Sequence, residues 1–338
     1  MPDVPLQFTW EVAESGHRWV ESHALDAPKA RTRFLTTGRP IGSGVVQVRR
    51  YQPLSSCSGL FRDFAATEPS PEAIKAFADR YGLLGGSLLK HIPLHEEARG
   101  KQARLGTGEQ LGAWVKEILT MGHAVDLWEA ARHGDVERLG EQIHWEPDGS
   151  GVRIDTHPGV ELTDLPRAPL HVDKGWIASR HLGDDVLSRF VPGDVVKPAL
   201  YRVQSVINEH LHGRASPRLL WDEDRERLGL YIVPDGLIGA LWLQFARAAE
   251  RNTTFRRCAE CGSWFELAPG TGRSDKLYCS TPCRIRAYRR RQAEAARLHA
   301  EGRSVEEIAR ALESEPGTVR GWIDRQAGVS RSGQNDTR

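Results

Sequence analysis

Four of the five cysteines in this 338-residue chain lie in two close pairs, Cys258 with Cys261 and Cys279 with Cys283. Seventeen residues separate the pairs, which is a spacing typical of metal ligands. Zn²⁺ prefers four tetrahedral ligands and binds thiolates well, whereas a catalytic zinc usually keeps one position open for water. The spacing therefore predicts a structural Zn²⁺ site with four cysteine ligands.

The residues around each cysteine pair predict how the sulfurs would meet. A C-x2-C pair on a tight turn presents two sulfurs to one ion. The letters LYC at 277–279 are typical of a strand end, and a helix is expected to begin near Cys283. Free N–H groups at a helix N-terminus favour a negatively charged sulfur. The fifth cysteine, Cys57, is interpreted as an ordinary, partly buried thiol.

Five arginines follow the last cysteine within eight residues, and all lie on the predicted helix. They are Arg284, Arg286, Arg289, Arg290 and Arg291. The planar guanidinium group matches the oxygens of a phosphate. The cluster therefore predicts contacts with a nucleic-acid backbone, although a solvated charged helix remains an alternative.

Two further short helices are predicted after the basic helix. Ser304 and Glu307 have the spacing of a capping box, and Ser314 is expected to cap the second helix. Two short helices joined this tightly resemble a helix-turn-helix, in which the turn position usually occupied by glycine is Glu313 here. An ordinary helical hairpin remains the alternative.

The second helix of this pair would read DNA if the resemblance to a helix-turn-helix is correct. Its residues Val319, Trp322 and Ile323 are expected to face inward. Base-edge and phosphate contacts are then expected from its exposed residues, which are Thr318, Arg320 and Arg325.

Charge is distributed unevenly along the chain. Residues 251–338 carry 17 Lys and Arg against 11 Asp and Glu, a net +6, whereas the rest carries 29 against 34, a net −5. A basic end on a nearly neutral chain favours an anionic partner. The N-terminus has no signal-peptide pattern, and the most apolar stretch, at 237–246, is too short to span a bilayer. A cytoplasmic protein without a membrane partner is therefore expected.

The preceding 250 residues indicate a mixed α+β body. Helices are predicted at 70–82, 107–133, 195–212 and 236–251, the second with Thr107 and Gln110 as a capping box. Two strands are predicted in RLLWDE and RLGLYIV. The residues Trp114, Trp128 and Trp242 are expected in the core, with a tryptophan-lined ligand cavity as the alternative.

The cysteine-rich stretch resembles a known finger. FRRCAECGSWFE at 255–266 and YCSTPCRIRAYRRR at 278–291 resemble the C-terminal finger of bacterial stress-regulator-like proteins, and more broadly treble-clef zinc fingers. In the former, Gly-Asn-Arg follows the second cysteine pair, where this chain has Arg284, Ile285 and Arg286. The resemblance covers about 50 residues, and it implies a transcription regulator with a largely helical N-terminal domain.

The predicted organisation is a body of α+β class at 1–252, possibly in two subdomains, a treble-clef-like zinc finger with a long basic helix at 253–300, a helix-turn-helix at 301–328 and a disordered tail at 329–338. The expected function is a zinc-stabilised DNA-binding protein that recognises double-stranded DNA and regulates transcription. Helix-turn-helix proteins often bind as dimers, so a homodimer is possible. The alternatives are an effector or enzyme in the body with a nucleic-acid-targeting finger, and a finger that binds protein.

Overall fold

The computed structural model describes residues 8–37, 47–93, 105–155, 176–179, 186–223, 225–267 and 276–332. The chain forms two compact units, Met1–Phe255 and Arg256–Arg338, which we call the N-terminal unit and the C-terminal unit. Helices and small sheets occur together, which confirms the α+β class. None of the described helices is long and apolar enough to cross a bilayer.

The sheets of the N-terminal unit are small and antiparallel. Their strands are β1 (Trp10–Ala13), β2 (His17–Ala24), β3 (Ala27–Thr37), β4 (Val48–Tyr51), β5 (Leu89–Pro93), β6 (Leu105–Gln110), β7 (Ile143–Trp145), β8 (Gly151–Ile154), β9 (Trp176–Ser179), β10 (Ala215–Asp222) and β11 (Arg227–Pro234). Strand β1 pairs with β4, and β10 pairs with β11. The other sheets have the orders β2-β3-β6-β5 and β7-β8-β9. The predicted strands RLLWDE and RLGLYIV thus form one hairpin, which has β10 and β11 as its strands.

Helices supply most of the core of this unit. They are α1 (Pro53–Ser56), α2 (Leu60–Ala65), α3 (Pro71–Tyr81), α4 (Leu111–His133), α5 (Val136–Gly140), α6 (Val196–Leu211) and α7 (Leu237–Glu250). Helix α3 begins as predicted, because the Ser70 hydroxyl accepts a hydrogen bond from the Ala73 N–H at 3.3 Å. The predictions for α6 and α7 are also confirmed to within one residue.

The start of α4 differs from the prediction, because Thr107 belongs to strand β6. Thr107 pairs with His91 of β5, and its carbonyl accepts a hydrogen bond from the Thr36 hydroxyl at 2.8 Å. These sheet contacts satisfy its backbone, so the helix begins only at Leu111. Gln110 precedes the helix without a side-chain cap. The capping box predicted from Thr107 and Gln110 is therefore wrong.

Aromatic side chains fill the core around α4. Trp114, Trp128 and Trp242 are buried, as predicted. The Trp128 ring meets the edge of Phe245 at 5.6 Å, and the Trp114 ring lies 6.0 Å from Phe77. These tryptophans pack against other rings, so they belong to the core, as predicted.

A buried ionic network crosses this core. The Glu117 carboxylate, on α4, accepts hydrogen bonds from Arg214 at 2.8 Å and from the Trp242 indole at 3.2 Å. His210 of α6 lies 3.2 Å from the same carboxylate and stacks on Trp242 with ring centroids 4.3 Å apart. Burial alone would raise the pKa of Glu117, but His210 and Arg214 outweigh it and lower the pKa to about 2. Side chains of α6 and α7 therefore meet at the carboxylate of Glu117 on α4.

We expect Glu117→Gln to lower the free energy of unfolding of the N-terminal unit by about 3 kcal/mol, because it leaves the partly buried Arg214 guanidinium without its counterion. The folded-state pKa lies below the ordinary value of 4.5, so the stabilisation is complete above that pH and is lost as pH falls toward 2. Denaturant titration from neutral to acid pH measures both effects. Glu209→Gln, at an exposed site beside His210, is the control, and an equal loss there would contradict the prediction.

The C-terminal unit combines a hairpin with three helices. Its elements are β12 (Thr254–Arg257, which crosses the unit boundary), β13 (Trp264–Leu267), α8 (Thr281–Ala300), α9 (Val305–Ala311) and α10 (Pro316–Ser332). Ser304 and Glu307 form the predicted capping box at the start of α9. Ser314 does not cap α10, because its hydroxyl donates to the Leu312 carbonyl. Glu313, in the turn, has a φ of +47°.

The three helices share one small core. Val319 and Trp322 of α10 are buried in it and Ile323 packs against it, as predicted. Its other buried members are Ala295, Leu298, Ile308 and Ala309. On α8, Cys283, Ala287, Ala295 and Leu298 are buried, whereas Ile285 is exposed.

Candidate metal centre and basic helix

The first cysteine pair lies in the turn between β12 and β13. The Cys258 N–H donates to the Ser263 carbonyl at 3.0 Å, and the Gly262 N–H donates to the Cys258 carbonyl at 2.9 Å. Gly262 has a φ of +71°, a left-handed conformation that glycine adopts without steric cost. The turn therefore aims the sulfurs of Cys258 and Cys261 at one point.

The second pair is held against this turn by backbone hydrogen bonds. The Ala259 N–H donates to the Leu277 carbonyl at 2.9 Å, and the Cys279 N–H donates to the Cys258 sulfur at 3.4 Å. Residues 276–279 form no strand, so the strand predicted to end at Cys279 is wrong. Cys283 lies in the first turn of α8, where the Ser280 hydroxyl accepts its N–H, as expected of a helix N-terminus.

The four sulfurs form one compact cluster. All lie within 4.8 Å of one another, with 3.7 Å between Cys261 and Cys279 and 3.5 Å between Cys279 and Cys283. A tetrahedral zinc with Zn–S bonds of about 2.3 Å requires sulfurs about 3.8 Å apart. Thiolate donors at this spacing fit Zn²⁺, so these four residues are compatible with the predicted metal site.

The four neighbouring sulfurs influence one another's protonation. Burial opposes ionisation of Cys258, but N–H groups of Cys261, Cys279 and Glu260 outweigh it and lower its pKa to about 6. Burial and the neighbouring sulfurs raise the pKa of Cys279 to about 12, despite a hydrogen bond with Ser280. Four adjacent thiols cannot all ionise without a positive charge among them, and a bound metal ion supplies that charge.

Two of the five predicted phosphate-binding arginines face the sulfur cluster. Arg286 donates a hydrogen bond to the Cys283 sulfur at 2.9 Å. Its Nε lies 3.9 Å from Glu260, and Arg290 lies 3.1 Å from the same carboxylate. Because a zinc bound by four thiolates would carry a formal charge of −2, these arginines would compensate charge inside the unit.

The other three arginines differ in how strongly they are held. Arg291 donates to the Tyr278 hydroxyl at 3.3 Å. Arg284 and Arg289 are exposed and form no ion pair with any described residue. These two are therefore the members of the cluster with guanidinium groups most available to an external anion.

The residues predicted to read bases lie on the outer side of α10. Thr318, Arg320 and Arg325 are all exposed. Arg320 lies 3.9 Å from Glu306, and Arg325 donates to the Tyr288 hydroxyl of α8 at 3.2 Å. The structure thus brings Arg325 onto α8 and leaves Thr318 facing outward.

Three features of the C-terminal unit were missed by sequence reasoning. Glu260 pairs with the arginines of α8, and its position inside the C-x2-C loop was the signal available for it. Gly317 and Gly321 of α10 were also missed, and a Cβ built at either would meet nothing within 4 Å. These two glycines lie one turn apart on α10, with Gly317 exposed and Gly321 half-buried.

The N-terminal unit contains a cleft that sequence reasoning also missed. It has a volume of about 640 Å³ and lies between the β1–β4 pair and the four-stranded sheet. Its lining includes Trp10, His17, Arg50, Leu83 and Thr107. Arg50 pairs with Glu11 at the rim. The size and mixed lining of the cleft are those of a small-molecule site.

Comparison of this chain with models of protein families, with curated proteins and with solved structures gives no significant match.

We expect the purified chain to hold one Zn²⁺. The variant Cys283→Ser should raise the Zn²⁺ dissociation constant at least about a hundredfold, because loss of a residue that merely hydrogen-bonds to a metal ligand already weakens metal affinity by about 10–100-fold. Chelation should also reduce the helical circular dichroism of the C-terminal unit, because metal binding and folding are coupled. Elemental analysis and competition with a chromogenic chelator measure the binding.

Cys57→Ser is the matched control, because Cys57 lies in the N-terminal unit and outside the cluster. It should leave metal content unchanged. Metal-free protein with four thiols that react freely with an alkylating agent in the folded state would contradict the site.

Proposed function

We propose that this chain is a zinc-stabilised DNA-binding protein that regulates transcription, with its N-terminal unit serving to sense a signal or to dimerise. The observation that carries the proposal is the continuity of α8. Cys283 lies in the first turn of this helix, and Arg284 and Arg289 are exposed on it. The last turns of the same helix pack in the core that α8 shares with α9 and α10. A metal-fixed cationic helix and a second exposed helix therefore belong to one compact unit.

Phosphate contacts are assigned first to Arg284 and Arg289. Their guanidinium groups pair with no described carboxylate, so binding a phosphate would cost no internal ion pair. Arg291 is held by a neutral hydroxyl and is the next candidate. Arg286 contacts the Cys283 sulfur and Arg290 pairs with Glu260. We therefore expect fewer of the five arginines to bind phosphate than the sequence predicts.

Base contacts are assigned to the exposed side of α10. Thr318 and Arg325 are seven residues apart, so they lie along one line of the helix, and Gly321 lies between them. Arg320, two residues after Thr318, projects from another side of the helix. Because glycine adds no side chain there, the helix backbone could approach the floor of a major groove closely. The short turn between α9 and α10 and their shared core are consistent with a helix-turn-helix.

The resemblance to bacterial stress-regulator-like fingers and to treble-clef fingers supports the same proposal. The net charge of +6 on residues 251–338 favours an anionic partner, and double-stranded DNA is the one that helix-turn-helix units read.

We expect the double variant Arg284→Ala and Arg289→Ala to weaken duplex binding uniformly across sequences. Each lost phosphate contact should reduce the slope of log affinity against log salt by about one, so the slope should fall by about two. Fluorescence anisotropy with a labelled duplex across a salt series measures the slope.

Arg297→Ala is the matched control on the same helix. Arg297 is exposed but already pairs with Glu294 and Glu301, so its loss should leave the salt slope unchanged. An unchanged slope in the double variant would remove the phosphate assignment. Binding of a protein partner that hardly responds to salt would favour a protein-interaction finger.

We expect Gly321→Leu to weaken duplex binding at least tenfold without loss of stability. A side chain at Gly321 has open space, and leucine favours helix over glycine by roughly 0.5–1 kcal/mol, so the C-terminal unit should become no less stable. The same side chain would hold α10 away from a groove. Thermal unfolding and duplex titration measure the two effects, and unaltered duplex affinity would contradict the assignment of α10 as the reading helix.

A second candidate function is favoured by the 640 Å³ cleft, which would suit an effector or enzyme with its activity in the N-terminal unit. A chain that ends at Phe255 separates the alternatives. Turnover of nucleotides or nucleic acid by this shortened chain would favour the enzyme. Stabilisation by a small molecule without turnover would favour a sensing unit that precedes a DNA-binding one.

A further inference from the structure

One face of the β10–β11 hairpin is apolar and exposed. Leu219 pairs with Leu230 in the register, and Trp221 pairs with Leu228, so the four side chains lie on the same face. Their exposed fractions are 63%, 57%, 54% and 59%, respectively. The next pair on this face, Pro217 with Ile232, is also uncharged.

The opposite face shows that the hairpin itself is firmly held. Tyr231 is buried there, and its hydroxyl donates to Asp222 across the strands at 2.5 Å. The Asp222 carboxylate also accepts the Arg225 N–H, which fixes the hairpin turn. The apolar face is therefore presented by an ordered hairpin.

The exposed apolar area is in the range of the largest patches on monomeric proteins, which are often functional. The four side chains together expose about 400 Å², which lies within the roughly 300–600 Å² of the largest apolar patch on a typical monomer. Two copies packed face to face would remove about 800 Å² from these side chains alone. The flanking pair and the strand backbones extend this toward the roughly 1,200 Å² at which stable interfaces begin.

We propose that a second copy of this chain docks on this face and that the two hairpins pack against each other about a two-fold axis. The six residues of the face are uncharged, and Glu223, which accepts the Trp221 indole N–H at 3.2 Å, is acidic, so a nucleic acid would find no counter-charge on them. An identical apolar face is complementary, and a two-fold contact buries the same patch on both copies. The inference concerns the protein without DNA and does not depend on DNA binding.

The double variant Leu219→Glu and Leu230→Glu tests the proposal in the full chain. Light scattering after size exclusion, over a dilution series from micromolar to submillimolar, should give twice the monomer mass of 37.7 kDa for the unaltered chain. The variant should be a monomer, with a dimer dissociation constant raised about a hundredfold or more, because buried glutamates would lack partners. Circular dichroism should match the unaltered chain.

Two controls distinguish the loss of this apolar face from a general effect of added charge. Val136→Glu, at a site that is 59% exposed, should leave the dimer intact. Leu219→Met with Leu230→Met should also dimerise, because the apolar face is kept. A monomeric unaltered chain at submillimolar concentration would overturn the proposal, and so would a glutamate variant that still dimerises.

Discussion

Helix α8 is the constraint on which the C-terminal unit depends, because it belongs to two cores at once. Cys283 in its first turn joins the sulfur cluster, and Ala295 and Leu298 near its end join the core of α9 and α10. A twenty-residue helix spans about 30 Å, so the two cores are held at its opposite ends. Each is small for a stable fold on its own, and a bound metal ion would supply the free energy that such short elements lack.

The arrangement of charge follows from this constraint. A helix that begins at a cluster of thiolates needs positive charge nearby, and Arg286 supplies it through its hydrogen bond to Cys283. Glu260 then balances Arg286 and Arg290, so two arginines are used inside the unit. The remaining positive charge points outward. An arginine-rich segment can thus contain both residues that form internal ion pairs and residues that remain exposed, and the sequence alone does not distinguish the two sets.

Much of this was predictable, and the failures have physical causes. Cysteine spacing predicted the cluster, and side-chain caps predicted the starts of α3 and α9, because these signals are local. Thr107 was misassigned because pairing with β5 competes with helix capping, and that competition depends on residues distant in sequence. The strands RLLWDE and RLGLYIV carry apolar residues on both faces, so their sequence could not show that Tyr231 would be buried and Leu230 exposed.

The turn between α9 and α10 shows tertiary packing overriding local preference. Glu313 stands where glycine is usual, and it adopts a φ of +47°, which costs a residue with a side chain roughly 1–2 kcal/mol. The turn forms because Ala309 and Trp322 are buried on its two sides, and the Ser314 N–H donates to the Ala309 carbonyl at 2.9 Å. The conformation of the turn is therefore imposed by the packing of α9 and α10 against α8. An identical turn sequence without α8 beside it would lack the contacts that offset this strain.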